Sequence, residues 1–497
     1  MKKIVSIVAA LAMATAMFAD PVANVAVVEF TGNAKVTWGV NLDDNKTGFK
    51  NETDTSMKLQ LFEHGTKATE SDANVWGEIV VTSENYSNPA GSMINGIAKN
   101  DGVRNITPRV DKALLHIGPA WVGILSGDTQ VGDMTPVVAV KGSNPWQDLT
   151  DVNGRNMKIY NVGKNATQGI TIGFQADDIV KVEADIRSNL DPDGNKYTDV
   201  YATAIQADLL AVPNLTFSVG VAHNLTIGKK STENSLNDDA FFAKAAYELA
   251  INDTFYVKPQ AAMSLETPAW GGIAKDSKKI NATAAVLFGW NKNEIQSWSG
   301  VKYLNQWDGS IADDRIKTSN GASVALHVVS QSATDDDNWA YGVTYGDLMI
   351  GAFDAGTLVP GLTFGANLEI TDFIYGRKTE DKDGKDMVAE WAKLYNLSRD
   401  EYVRQGHYAK KTLTAEAKYS IAVGEGNVAP KAGFGMKDKF VKTNDKGLEE
   451  YKFDFNKCFF GVELSGFVPY TTFEVMYDNA DLDTKKGTLD VSCKISL

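Results

Sequence analysis

The sequence predicts an all-β protein, a large antiparallel transmembrane β-barrel of about 20 strands, an even number, with short periplasmic turns and long extracellular loops. Three observations lead to this fold class. The last eleven residues alternate strictly between apolar and polar side chains. No long apolar run follows residue 20, so helical membrane spans are excluded. A short turn containing proline recurs along the chain between alternating segments.

The segment from Gly487 to Leu497 has one apolar side and one polar side. Because side chains alternate across a strand, the apolar side is predicted to face lipid and the polar side the lumen. The alternative is an edge strand of a soluble sandwich, and a terminal leucine departs from the usual Phe or Trp of such barrels. The predicted lipid-facing residues are Leu489, Val491, Cys493, Ile495 and Leu497, and the predicted pore-lining residues are Asp490, Ser492, Lys494 and Ser496.

The first residues have the pattern of a secretory signal peptide. Lys2 and Lys3 precede a run from Ile4 to Phe18 without a charged residue, which ends in small side chains. Cleavage is expected after Ala16 or Ala19, with 1–19 preferred as the signal. A single spanning anchor is the alternative, but the run is short for the ~20 residues that a spanning helix needs.

Composition indicates one large exported β-rich domain over residues 20–497. The chain has 43 Gly, 10% aromatic residues and only two Cys, with no Pro- or Ser-rich linker. Its formal net charge of −14 argues against nucleic acid as a partner and weakly favours cations in a pore. We expect Cys458 and Cys493 to be free thiols on the apolar side of two strands separated by the Thr471–Tyr477 strand.

The proline turn predicts which strand ends share a rim. It occurs at Val212–Phe217 and Val359–Phe364, with a looser copy at Val468–Phe473. Proline suits the start of a strand or its turn, so these segments are expected to form short turns of one rim. A bent strand or two strands are both compatible with Trp339–Ala355. Long acidic segments are expected as loops of the opposite rim: Thr267–Lys279, Asn305–Gly321, Arg377–Lys411 and Met436–Glu450. Asp478–Lys486, before the last strand, is expected as a further loop of that rim.

Further lining residues come from a second alternating strand and from the longest loop. Lys452, Asp454 and Asn456 are the polar alternates near Tyr451–Phe455 and are predicted to line the pore. The spacing of apolar residues predicts a helix over Lys385–Leu397, and Ser398–Glu401 resembles a capping box that opens a short second helix. The helix could narrow the pore, form a recognition surface or simply pack the loop.

The sequence contains no pattern typical of catalysis, a cofactor or a metal site. Its five His residues are scattered, and none pairs with Cys, Glu or another His at metal-ligand spacing. Asp191–Asn195 and Asp381–Gly384 resemble calcium loops, but both place Gly fourth and carry Ala at the twelfth position. We therefore expect polar turns there, no cofactor and no enzyme activity.

The opening strand Phe30–Gly39, the M-K-K start and the V-P-G-L-T-F turn resemble the treponemal major outer sheath protein and Tpr repeat family. The resemblance implies an abundant surface-exposed porin of the bacterial outer membrane, a homotrimer, that also acts as antigen and as an adhesin for host matrix proteins. It divides the chain into an N-terminal region, about 20–210, and a C-terminal region, about 211–497. The N-terminal region of that family has been argued to be periplasmic, whereas strand-like segments here begin at Ala34.

These observations predict a porin for passive diffusion of small hydrophilic solutes and ions through a polar lumen. The main alternative is a surface adhesin that uses the barrel only as a mount and binds host matrix through its long loops. A further alternative makes the first half of the chain a soluble periplasmic domain.

Overall fold

The computed structural model describes residues 27–63, 75–84, 107–126, 168–190, 197–226, 239–267, 274–290, 295–297, 317–335, 339–404, 408–445 and 449–496. These residues are almost entirely β-strand, with two short helices. The strands of the first half are β1 (Val27–Asn41), β2 (Lys46–Glu63), β3 (Val75–Glu84), β4 (Thr107–Ile117), β5 (Ala120–Ser126), β6 (Gln168–Ala176), β7 (Val180–Leu190), β8 (Tyr197–Leu209), β9 (Leu215–Thr226), β10 (Asp239–Tyr247), β11 (Leu249–Ala250) and β12 (Phe255–Thr267).

The second half continues in the same way and contains both helices. Its strands are β13 (Ala274–Trp290), β14 (Ile295–Ser297), β15 (Lys317–Ser319), β16 (Gly321–Asp335), β17 (Ala340–Ala355), β18 (Leu362–Glu380), β19 (Lys410–Tyr419), β20 (Ile421–Val423), β21 (Gly426–Thr443), β22 (Glu449–Ser465), β23 (Thr471–Asn479) and β24 (Thr488–Ser496). The helices are α1 (Met387–Leu394) and α2 (Arg399–Val403).

Sequence neighbours pair antiparallel throughout one 22-stranded sheet, and β14 pairs with β15 in a separate hairpin. The first strand also pairs with the last, from Asn33 opposite Ser496 to Asn41 opposite Thr488. Two of the 22 strands, β11 and β20, are short continuations of β10 and β19 along the same neighbours. Following the pairs from strand to strand therefore passes twenty strands and returns to β1. The predicted fold class, a large antiparallel barrel, is confirmed.

The proline turns lie on one rim, as predicted. Because consecutive strands alternate direction, the connections 210–214, 356–361 and 466–470 all lie at the end of the sheet where β24 terminates. In each turn the third residue after the valine donates its backbone N–H to the valine carbonyl, at 2.9–3.1 Å. The residue after each proline has positive φ, and it is Asn214, Gly361 or Tyr470. These are type II turns.

Three of the predicted long loops are corrected by the strand bounds. Residues 305–316 of the predicted loop Asn305–Gly321 lie outside the described residues, but β13 ends and β16 begins on the rim of the proline turns, not on the opposite rim. Most of Thr267–Lys279 and Met436–Glu450 is strand, because charged residues alternate with other side chains there and continue the ladders. Trp339–Ala355 holds a single strand, β17, with an irregularity between residues 346 and 348.

Large side chains on one face of the sheet lie on glycines of the neighbouring strand. Phe242 is paired directly with Gly220, and Phe459 with Gly433. A Cβ built on either glycine would meet the aromatic ring at about 2.1 or 2.5 Å, so neither position accepts a larger residue without displacing its partner. Both rings are buried. Glycine in these strands is therefore a packing requirement as well as a source of turns.

Candidate pore lining

The last strand separates into the two predicted faces. Leu489, Val491 and Ile495 are 36–46% exposed, although they are large apolar side chains. Ser492 between them is only 6% exposed. Cys493 is half-buried on the same side as Leu489 and Val491. On the other side, Asp490 and Lys494 are half-buried and Ser496 is exposed. Leu497 lies outside the described residues. That these faces meet lipid and lumen stays a prediction at this point.

The same two faces continue across the neighbouring strands. Val491 pairs with Val475 of β23, which is also exposed and apolar, whereas Ser492 pairs with Glu474 of β23 and Thr37 of β1. We call the side carrying Val491 the apolar face and the side carrying Ser492 the polar face. Exposed large apolar residues recur on the apolar face of β5, β6, β9, β10, β12, β13 and β22: Val122, Ile124, Ile170, Ile172, Val221, Phe241, Met263, Val286, Phe460, Val462 and Leu464. An exposed apolar surface of this extent marks a membrane or a protein interface.

A network of ion pairs crosses the polar face from β19 to β1, and we call it the wall network. Lys418 lies 3.1 Å from Glu463, and Lys431 lies 3.6 Å from the other oxygen of the same carboxylate. Lys431 also contacts Glu474, which lies 3.8 Å from Lys35. The side chain of Lys431 is 2% exposed and that of Glu474 is 12% exposed, so these charges depend on each other for compensation.

The wall network was not predicted from the sequence. Its members are single charged residues at polar alternates of five different strands, and each looks like an ordinary lumen-facing position. Lys418 and Glu463 are 45 residues apart along the chain. Only the cross-strand register brings these two residues together. The one sequence feature that could have indicated the network is the opposite charge of lysines and glutamates on strands predicted to lie close in space.

The structure brings the three predicted lining residues of β22 onto one face in an unexpected way. Lys452 and Asp454 form an ion pair at 2.9 Å, and Asn456 is buried. The pairing with β21 passes over Asn456, which is the extra residue of a β-bulge. Asn456 and the buried Lys457 therefore share the polar face, and Cys458 returns to the apolar face. Plain alternation would have placed Asn456 and Cys458 on the same side.

The predicted helices of the longest connection are present. Asp386 caps α1 by accepting hydrogen bonds from the backbone N–H groups of Val388 and Ala389, at 3.0 and 3.3 Å. Ser398 and Glu401 form the predicted capping box of α2. The helices pack against each other and against the end of β18. They lie on the rim opposite the proline turns.

One ion pair joins the beginnings of the two helices. Arg399 Nε donates to Asp386 Oδ2 at 2.8 Å, and Arg399 also donates to the carbonyl of Arg377 on β18. The hydrogen bond from Arg399 is the largest cause that holds the pKa of Asp386 below its ordinary value. The predicted role of Arg377–Lys411 as a constriction stays a prediction.

The described residues bring together neither the two cysteines nor a set of metal ligands. Both cysteines are free thiols, as predicted. In the part of the chain that the structure describes, no three His, Cys, Asp or Glu side chains come together in a group suited to a metal ion. Within those same ranges, neither helix is long and apolar enough to cross a membrane.

Comparison with known proteins gives two treponemal relatives, and no family model matches the chain. The chain is 34% identical over 296 residues to major surface protein MspTL of Treponema lecithinolyticum, a match that covers 58% of this chain and 43% of MspTL. It is 24% identical over 607 aligned residues to major outer membrane protein MspA of Treponema maltophilum, covering 100% of both. The chain thus spans less than half the length of MspTL.

Two solved structures from Pseudomonas aeruginosa align with most of this chain. OccK5 (OpdH) gives a TM-score of 0.40 at 9% identity and covers 95% of this chain and 98% of its own. The outer membrane protein OpdK gives a TM-score of 0.40 at 8% identity, covering 95% and 99%. Likeness at this level carries no argument about function.

A ring of antiparallel strands with one exposed apolar face defines an outer-membrane β-barrel protein, and the predicted outer-membrane localisation is confirmed. The relatives narrow the class. The resemblance to the treponemal major outer sheath proteins, first seen in the opening strand and the proline turns, is confirmed by MspTL and MspA.

Proposed function

We propose that this chain is a porin that lets small hydrophilic solutes and ions diffuse across the outer membrane. The observation that carries the proposal is the continuity of the two faces around a ring of strands that pairs first with last. If the apolar face meets lipid, the polar face encloses a lumen, because a closed barrel has only those two surfaces.

The size of the ring supports an open channel. Strands spaced about 4.8 Å apart and tilted by about 45° give a ring of twenty a circumference of about 135 Å and a backbone diameter of about 43 Å. Barrels of about 16–18 strands already leave an aqueous channel. Side chains of one layer cannot fill such a width, so closure of the lumen would require folded connections.

We propose that the lumen is lined by the polar faces of β22, β23, β24 and β1. The lining residues are Asp490, Ser492, Lys494 and Ser496 with Lys452, Asp454 and Asn456, as the sequence predicted, together with the wall network. The proposed lipid-facing residues are Leu489, Val491, Cys493, Ile495 and Leu497. In the wall network, three lysines face two glutamates, so this part of the wall is close to neutral and adds little to the weak preference for cations that the net charge predicts.

We further propose that residues 20–497 form a single barrel domain after removal of the signal peptide 1–19. Strands from both the N-terminal and the C-terminal region lie in one sheet, which supports this division. A homotrimer and binding of host matrix proteins rest on the family resemblance alone. The surface name of MspTL supports a role as surface-exposed antigen. Protease treatment of intact cells separates this arrangement from one with a periplasmic N-terminal half, in which fragments before residue 210 would be fully protected.

Swelling of liposomes that contain refolded residues 20–497 tests diffusion directly. Sugars of increasing size should enter at rates that decline smoothly with size, since sieving through a water-filled lumen has no saturable site. Liposomes with correctly folded barrel that do not swell in the smallest sugar would refute the porin. The adhesin, in which the barrel is only a mount, would then be the better hypothesis.

A further inference from the structure

The connection 480–487 between β23 and β24 extends sideways along the neighbouring strands. The last pair between β22 and β23 is Cys458 with Asn479. Beyond it, the backbone N–H of Leu482 donates to the carbonyl of Asn456, at 2.9 Å, on the bulge of β22. Asp483 then reaches across β22 to β21, where its Oδ2 lies 2.5 Å from Lys439 Nζ.

The side on which the connection crosses follows from the position of Lys439. Lys439 pairs directly with Lys452, a residue of the polar face. Its neighbour Phe440 is 57% exposed and meets Tyr451 edge to face on the apolar face. The ion pair between Lys439 and Asp483 therefore lies on the polar face.

Both ends of the connection are fixed to the barrel. The backbone N–H of Lys486 donates to Asp43 Oδ1 at 2.5 Å, and the carbonyl of Gly487 accepts from the N–H of Leu42 at 2.9 Å, both in the turn after β1. At the other end, Asn479 Nδ2 donates to the carbonyl of Lys485 at 2.7 Å. Between these ends, the segment is held by the Leu482 hydrogen bond to Asn456 and by the ion pair of Asp483 with Lys439.

Two carboxylates of the connection lie near lysine side chains of β21. The Thr484 hydroxyl donates to Asp481 at 2.7 Å and is the largest cause that keeps the pKa of that carboxyl below its ordinary value. The positive charges of Lys437 and Lys439 lower the same pKa further. Two carboxylates of the connection, Asp481 and Asp483, thus lie near lysines of β21, which favours the position seen in the structure.

We propose that residues 480–487 form a strap over the polar face, latched by Asp483 on Lys439, that narrows this mouth of the barrel and so limits the size of passing solutes. The proposal rests on the porin function, because a mouth matters only if the lumen conducts. It assigns the narrowing to this short strap rather than to the longer connection 381–409, whose helices pack on the end of β18.

Single-channel conductance of two latch variants of residues 20–497 tests the strap. Asp483→Asn and Lys439→Gln each break the latch, yet they change the net charge of the mouth in opposite directions. Both should give larger conductance steps than the wild type, since both release the strap. Lys442→Gln is the matched control, because Lys442 pairs instead with Glu450 at 3.4 Å and should leave the step size unchanged.

The possible results separate three explanations. Equal-direction increases in both latch variants support the strap. Opposite changes in Asp483→Asn and Lys439→Gln, or no change in either, would overturn it, since charge alone or nothing would then be acting at the mouth. Asp483 is half-exposed on a connection, so its amide variant is expected to fold even if Lys439→Gln does not. A wild-type barrel without conductance would overturn the porin itself and the strap with it.

Discussion

Replacement of Glu474 by glutamine should destabilise the barrel more than loss of an exposed ion pair would, because its partner Lys431 is almost fully buried. Glu474 contacts the nearly fully buried Lys431 and lies 3.8 Å from Lys35. A hydrogen bond to a charged group contributes about 1.5–3 kcal/mol, and a buried charge that loses a partner costs more than an exposed one. Lys431 keeps Glu463 at 3.6 Å, which limits the loss. We expect a decrease of about 2 kcal/mol in the free energy of unfolding, roughly a thirtyfold change in the equilibrium.

Equilibrium unfolding in urea, with the barrel in lipid vesicles, measures this loss through the fluorescence of the ten tryptophans. Asp454→Asn is the matched control on the same face, because Asp454 and Lys452 form an exposed pair. Exposed pairs contribute at most about 1 kcal/mol, so the control should lose much less. Equal losses in Glu474→Gln and Asp454→Asn would refute the reasoning that burial makes the wall network important.

Three further predictions concern packing, turn strain and pH. Gly433→Ala should destabilise the barrel by about 1–3 kcal/mol in the same urea assay, because its added Cβ would meet the Phe459 ring. Gly376→Ala should not, because no atom lies within 4 Å of its added Cβ. Similar losses of stability in both variants would contradict the packing argument. Tyr470→Asn should raise stability by about 0.5–1 kcal/mol, because Tyr470 has φ of 60° and asparagine tolerates that region better; a loss would show that the tyrosine ring has a role of its own. The Arg399 hydrogen bond holds the pKa of Asp386 below the ordinary carboxyl value of about 4. The stabilisation of α1 by this ion pair is therefore present above that ordinary value and is lost as the pH falls through the lowered pKa. Hydrogen-exchange protection of α1 should decline over that pH range in the wild type but not in Asp386→Asn.

The alternation of β24 and the proline turns could be predicted because both are local. A strand needs only its own residues to define two faces, so Leu489, Val491 and Ile495 could be assigned to one side without any partner. A V-P turn likewise carries its conformation in four residues. The capping box at Ser398 is local in the same sense and was found at the predicted residue.

Features that depend on register could not be predicted. The bulge at Asn456 arises from the match between β21 and β22, and no property of Asn456 itself announces an extra residue. The wall network depends on the registers of the five strand pairs from β19 to β1, because three of the four ion pairs described above join strands that are not direct neighbours. The rim predicted for Asn305–Gly321 was wrong because strand alternation must be counted through every preceding strand. The loop predicted at Thr267–Lys279 was too long, because the bounds of β12 and β13 leave only six residues between these strands.

Single-channel recording of refolded residues 20–497 in a planar lipid bilayer tests the central claim most directly. We expect large, stable conductance steps, because a ring of twenty strands with a polar inner face leaves a water-filled channel. Barrel that inserts in the correct fold and yet passes no current would contradict it.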